Sequence, residues 1–375
     1  MGLRTAAASA ALTVLGAGAA AVAAGRHASG AALEPHRLRP LPADPPLTVH
    51  GVADGRITLT RSLTALRPGT YGLTGGGTHA VVGPVLKGVP HAPDVVVRRL
   101  ERVTHGSLGP GSRLWLTPQV HIGNPRDALG LDHADVDVPG DRGPLPAWFV
   151  PGARDTWVIT VHGLGTGREH PMVVMPFLRR HRFPVLDLGH RGDLGAPRPR
   201  DGIQHLGATE WRDLDAGMSY AARYGAEHIV LYGWSTGATM ALIAAAHSPL
   251  RHLLSGLVLD SPVLDWRATV GALASAAGAP RPLLPLAVRA AQGRLGLDGD
   301  LLGGSADPEH LSVPALLLHG PDDTIAPWET SRALAERRPD LVTLHTVPHA
   351  PHAAMWNADP RGYEEALRRF LTPLM

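Results

Sequence analysis

The chain has 375 residues, 44% hydrophobic and 18% charged, which suits one large α/β domain with additions and excludes wholesale disorder. Lys and Arg number 35 against 33 Asp and Glu, a formal charge of +2, so nucleic acid is not expected as a partner. With no Cys, disulfides, iron–sulfur clusters, thiolate zinc sites and a Cys nucleophile are ruled out, while the compartment stays open.

Residues 1–30 read as a signal or membrane-anchor segment. After Arg4 the chain runs uncharged from Thr5 to Gly25, a length that as helix approaches the thickness of a hydrocarbon core. That length favours an uncleaved anchor. Ala21-Val22-Ala23 offers a small-residue cleavage site for an export signal, and an Ala-rich soluble tail is the third reading. The expected location is membrane-associated or exported. Arg4 on one side and Arg26, Arg37 and Arg39 on the other leave the orientation open. Residues 31–46 carry Pro35, Pro40, Pro42, Pro45 and Pro46 and read as an extended linker.

Residues 47–125 show short β-like runs between Gly and Pro turns, among them 56–61, 79–82, 94–97 and 113–117, and no helix signal of useful length. A small β-rich subdomain is expected, structural or substrate-restricting in role, since it holds no titratable cluster. From 126 to 375 the texture changes. Runs at 134–138 and 146–150 alternate like an edge hairpin. Continuous apolar runs follow at 156–161, 183–188, 228–232, 256–260, 314–319 and 341–345, with helical patterns at 208–224, 236–247, 328–338 and 361–371. Alternating buried strands and helices predict a mostly parallel sheet covered on both faces, an α/β fold whose reactive groups gather at the carboxyl ends of the strands.

After the run 228–232 comes Gly233-Trp234-Ser235-Thr236-Gly237. A G-x-S-x-G turn between strand and helix needs small residues on either side of the serine, because a sharp turn brings backbone close to backbone. Ser235 is the candidate nucleophile. A serine hydroxyl needs a base, and the base an orienting acid. Gly320-Pro321-Asp322-Asp323 supplies two carboxylates; Asp323 is favoured as the acid, with Asp322 a loop or capping group. His349-Ala350-Pro351-His352 supplies two imidazoles; His352, just before the apolar Ala353–Trp356, is favoured as the base and His349 is the alternative. The backbone N–H groups of Leu164, in Val161-His162-Gly163-Leu164-Gly165, and of Thr236 are the candidate oxyanion hole. His162 is expected to shape that loop through side-chain hydrogen bonds rather than act as a base.

The segment from about Ala134 to Leu371 resembles the α/β-hydrolase superfamily, especially bacterial prolyl-oligopeptidase-like and serine-aminopeptidase-like domains. The resemblance rests on His162-Gly163, the Gly233–Gly237 turn, His319-Gly320-Pro321-Asp322-Asp323, and His352 ahead of Trp356-Asn357. It implies the order Ser, Asp, His of a catalytic triad, and a cap formed by an insertion at about 261–313. The β-rich region lacks the repeats of a propeller. Elsewhere, Arg191 is expected to pair with Asp187 or Asp193 rather than clamp a substrate anion. Glu169-His170 and Glu210-Trp211 read as residues at helix starts. No metal or nucleotide motif stands out, so no cofactor is expected. The expected function is a serine hydrolase acting on a small-molecule ester or acyl substrate. A serine peptidase is the alternative, disfavoured by the lack of an acidic residue clearly placed for a peptide amine. A catalytically silent binding protein is the third reading.

Overall fold

The computed structural model describes residues 44–296 and 307–375, together with 23, 25–27, 29, 30, 33 and 304. The apolar run Thr5–Gly25 lies almost wholly outside these residues. Among the described residues no helix is long and apolar enough to cross a membrane.

The first strands are β1 (Leu47–Ala53), β2 (Arg56–Thr60), β3 (Tyr71–Gly75), β4 (Thr78–Val85), β5 (Val95–His105) and β6 (Arg113–Thr117). They close into an antiparallel barrel in the order β1-β2-β5-β4-β3-β6. Inward positions such as Val49, Ile57, Leu59, Leu73, Val82 and Leu114 fill its interior. The barrel also buries a charge. Arg98 donates to the backbone carbonyls of Gly83, Ala65, Arg67 and Gly69 at 2.7–3.0 Å, fastening the 65–69 loop to the wall. Burial lowers its pKa to about 10, so it remains a cation at neutral pH.

A short helix, Pro125–Leu129, leads to β7 (Ala134–Gly140), β8 (Gly143–Val150), β9 (Thr156–Val161), β10 (Val185–Leu188), β11 (His228–Trp234), β12 (Leu254–Asp260), β13 (Ala315–His319) and β14 (Val342–Thr346). These form an eight-stranded sheet in the order β14-β13-β12-β11-β9-β10-β8-β7, antiparallel at the β7–β8 edge and parallel from β10 to β14. Helices Trp211–Arg223 and Thr236–His247 cover one face and Met175–Arg180 and Pro360–Leu371 the other, around two separate apolar clusters. Register aligns the ends of the central strands: Gly233 lies opposite Val161, and Trp234 opposite Asp260. The loops that follow β9, β11, β12 and β13 therefore converge on one edge.

Between β12 and β13 the helices Trp266–Ala276 and Leu284–Leu295 pack against each other in a cluster that also holds Leu164 and Ile325. This pair thus sits beside the loops that follow β9 and β13. The described residues from 23 to 33 are helical. Leu33, inside the stretch 31–46 expected to be an extended linker, is helical and buried in the same cluster.

Candidate active site

Ser235 lies between β11 and the helix Thr236–His247 at φ 54° and ψ −119°, a region that an L-residue enters only when its surroundings force it. The glycines explain how. A methyl group on Gly233 would lie 2.3 Å from the Gly237 carbonyl carbon, and one on Gly237 would lie 2.4 Å from the Val161 oxygen. The turn is possible only because both are hydrogen. Its backbone is tied down by Ser235 N–H donating to Asp260 O at 2.8 Å.

His352 Nε2 lies 2.7 Å from Ser235 Oγ, and His352 Nδ1 lies 2.7 Å from Asp323 Oδ2. All three residues are buried, none more than 9% exposed. Asp323 is surrounded by donors. Its Oδ1 accepts from the Ile325 and Ala326 amides at 2.8 and 2.9 Å, and its Oδ2 accepts a second imidazole N–H, His319 Nε2, at 2.9 Å. Burial works against the charge, but the His352 ring beside it and the hydrogen bonds from His319 and His352 hold the carboxyl well below the usual range. The Ser331 hydroxyl lies 2.8 Å from His319 Nδ1, which fixes that ring in turn. In the sequence His319 figures only as the first residue of the His319–Asp323 motif, with no role assigned to it. Its one signal is its place at a strand end, four residues before Asp323.

The competing residues lie elsewhere. Asp322 and His349 are exposed and engage each other, the His349 amide donating to Asp322 Oδ2 at 2.8 Å. Arg191 makes a structural pair, but not with Asp187 or Asp193. It binds Asp213 through Nε and Nη2 and Asp141 through Nη2. The partners arrive from a helix and a hairpin that local reading does not place near it. Glu210 stands at the helix start, but its carboxylate accepts from the His205 and Gly207 amides of the preceding turn rather than capping the helix. His170 precedes a short 3-10 turn and faces Ala353 O at 3.0 Å.

The loop after β9 passes directly against the serine: a methyl on Gly163 would lie 2.6 Å from Ser235 Cβ. Leu164 follows in that loop, and Thr236 is the first residue of the helix that starts after Ser235. The first amides of a helix have no intrahelical acceptor, so Thr236 N–H is available to an anion. Beyond this loop a cavity of about 280 Å³ is walled by Gln119 from the barrel side, Trp148, Arg168, Glu169 and Asp193. Arg168 stacks over Trp148 with Cζ 4.2 Å from the ring centroid.

His162, His190 and Asp193 bring nitrogen and oxygen atoms together within 4.8 Å. The geometry does not suit a metal. The two rings are stacked, with centroids 4.5 Å apart and planes 25° apart, so their in-plane lone pairs do not converge on one point. His162 Nε2 instead lies 2.7 Å from Asp193 Oδ2.

The barrel residues 48–117 match a family described only as a domain of unknown function (DUF8805). No curated protein matches the chain. Among solved structures, an esterase of Pyrococcus furiosus, Pf2001, is 23% identical at a TM-score of 0.56, covering 68% of this chain and 95% of that one. A second crystal form of the same esterase gives 21%, 0.54, 68% and 98%. A thermophilic esterase from Thermogutta terrifontis is 20% identical at a TM-score of 0.47, covering 65% and 99%. The narrower likeness to prolyl-oligopeptidase and serine-aminopeptidase domains gains no support from these neighbours. The segment from Ala134 to the carboxyl end of the chain has the α/β-hydrolase fold, set behind a small β-barrel of its own.

Proposed function

We propose that the chain is a serine hydrolase that cleaves carboxylic ester-type bonds through an acyl-enzyme. The observation that carries the reading is the unbroken hydrogen-bonded series Ser235 Oγ, His352, Asp323, closed at its far end by three further donors to the carboxylate. An ionised Asp323 accepts from His352 Nδ1–H, which leaves Nε2 with a lone pair facing the serine hydroxyl. His352 takes that proton as Ser235 attacks the carbonyl carbon. The tetrahedral oxyanion is received by the amides of Leu164 and Thr236. His352 then hands the proton to the leaving alkoxide, and water, deprotonated by the same nitrogen, releases the acid. The Pyrococcus furiosus neighbour is named an esterase, which favours the same bond class.

One observation favours the peptidase alternative. Glu169 stands in the wall of the cavity beside the oxyanion loop, where a carboxylate would suit a free amine. Turnover of p-nitrophenyl acyl esters compared with aminoacyl anilides decides between them, and faster anilide cleavage would select the peptidase. A fluorophosphonate should label Ser235, and Ser235→Ala should abolish both labelling and turnover. A folded protein that resists the probe would support a silent binding role.

A further inference from the structure

Among the described residues His162 meets two acceptors and no donor. Its Nδ1 lies 2.9 Å from the Gly163 carbonyl oxygen, and its Nε2 lies 2.7 Å from the Asp193 carboxylate. A carbonyl and an ionised carboxylate only accept, so both ring nitrogens must carry protons. An imidazole with two N–H groups is a cation. The chain stores that cation out of water: His162 is 1% exposed.

What the cation holds is the peptide unit between Gly163 and Leu164. Gly163 O accepts from His162 Nδ1, from the Thr166 hydroxyl at 3.0 Å and from the Thr166 amide at 3.4 Å. A trans peptide is planar, with its C=O and N–H on opposite sides. Donors that fix the carbonyl on one side therefore turn the Leu164 N–H to the other. In a trans peptide the N–H lies on the same side as the preceding Cα, and a methyl on the Gly163 Cα would lie 2.6 Å from Ser235 Cβ, so that side is the serine's.

We infer that His162, held as an imidazolium by Asp193, is the positioning residue that sets the Leu164 N–H as an oxyanion donor, and that losing its proton releases the donor. The inference rests on the serine-hydrolase reading and deepens it. The groups facing His162 agree with the assignment. From the loop after β10 come Asp193, the ion-pair partner, and His190, stacked on the ring with its own Nδ1 3.2 Å from Arg191 O. From β10 comes Asp187, whose pKa burial raises to about 8, so it is largely neutral at pH 7. Behind the loop lies His170, whose pKa burial lowers to about 3 and which therefore adds no charge. Among the described residues Asp193 is the main anion acting on the ring, with Asp187 adding a smaller pull in the same direction. Burial opposes the ionisation of Asp193, yet the His162 and His190 rings hold its carboxyl well below the usual range. For His162 burial likewise works against the charge, and Asp193 overcomes it, raising the pKa to about 8. The sign follows: the cation, and with it the aimed donor, is present below that value and lost above it.

Two measurements on the whole protein test this. In ¹⁵N-histidine NMR, with the His162 signal assigned by its loss in His162→Gln, both ring nitrogens should carry protons at pH 7 and titrate near pH 8. A His162 already neutral at pH 7 would overturn the inference. In p-nitrophenyl acetate turnover, kcat should fall by about 10²-fold through an alkaline limb near pH 8, the size expected for losing one oxyanion donor, with KM little changed. Asp193→Asn should move that limb down by a pH unit or more, and Asp193→Glu should return it toward its original place. A limb indifferent to Asp193→Asn, in an enzyme that still needs Ser235, would overturn this inference alone. Turnover surviving Ser235→Ala would overturn it together with the reading it rests on.

Discussion

Replacing Asp323 by Asn should cost far more than its one-atom change implies, because the environment dictates which way the amide must sit. Oδ1 accepts from two backbone amides, Ile325 and Ala326, and an NH₂ group there would face two donors. The carbonyl oxygen therefore stays on that side, and the new NH₂ takes the Oδ2 position, opposite His352 Nδ1 and His319 Nε2. A donor facing His352 Nδ1 makes that nitrogen an acceptor and moves the ring proton to Nε2. The lone pair needed to take the Ser235 proton is then gone. A wrong-tautomer triad loses about 10⁴ in kcat, which is about 5 kcal/mol of barrier. Asp322→Asn is the control. Its carboxylate is half exposed and, among the described residues, pairs with His349, so kcat should change by less than about twofold. The assay is ester turnover at pH 7.5 on active-site-titrated, folded protein. An Asp323→Asn enzyme within tenfold of the parent, or an Asp322→Asn enzyme equally impaired, would refute the argument.

Other consequences follow from the packing. Asn357→Ala removes two donors, to Thr70 O and Pro118 O at 2.9 Å each, and should lower stability by about 1–3 kcal/mol in urea titration; an unchanged midpoint would show that water replaces them. Arg98→Met abandons several buried carbonyls at once and should cost about 3–5 kcal/mol by the same measurement. Gly163→Ala places a methyl 2.6 Å from Ser235 Cβ and 2.7 Å from Trp234 O, so kcat should drop while the thermal midpoint moves only a few degrees. Acid should weaken the fold through His170 and His121, whose pKa values burial lowers to about 3 and about 4. Each binds a proton more readily when unfolded, so its stabilisation is full above pH 6.5 and is lost as pH falls toward those values. Tm measured from pH 7 to pH 4 should decline, and His170→Asn should flatten the decline.

The parts of the fold that were legible in sequence are those written in local pattern. The helix 236–247 and the strand before it follow from an apolar run, a serine between glycines and a string of small residues. The barrel's closure was not legible, because it depends on β1 meeting β6 across most of the subdomain, Leu47 opposite Leu114. Nor was β5 at its full length. Only its valines looked like a strand, since Arg98, Arg99, Glu101 and Arg102 follow, and the burial of Arg98 among carbonyls cannot be told from a solvated charge by residue type. The same limit hid the His162–Asp193 pair and misassigned the partners of Arg191. Two strand ends, or a strand end and a helix, must first be folded together before such charges are neighbours. Asp260 illustrates the point again. It ends β12 as an ordinary strand residue, yet buried between Ser261 and Tyr363 its pKa is raised, first by burial, to about 7.

These long-range contacts also give the barrel a part in the candidate site. Thr70 N–H donates to Asn357 O while the Asn357 amide donates back to Thr70 O, and Pro118 O takes its second hydrogen. Gly69, at φ +86°, comes so close to Asn357 O that any side chain there would collide with it. Ala354, from the same segment, is counted in the barrel's apolar cluster. The segment 352–357 carries His352 at its start and is short, so what grips its far end limits how far the imidazole can swing. Arg98 completes the series, because it fastens the 65–69 loop that ends in Gly69. The barrel thus bears on the segment that carries His352, the imidazole facing Ser235, through one buried guanidinium, one loop and one asparagine.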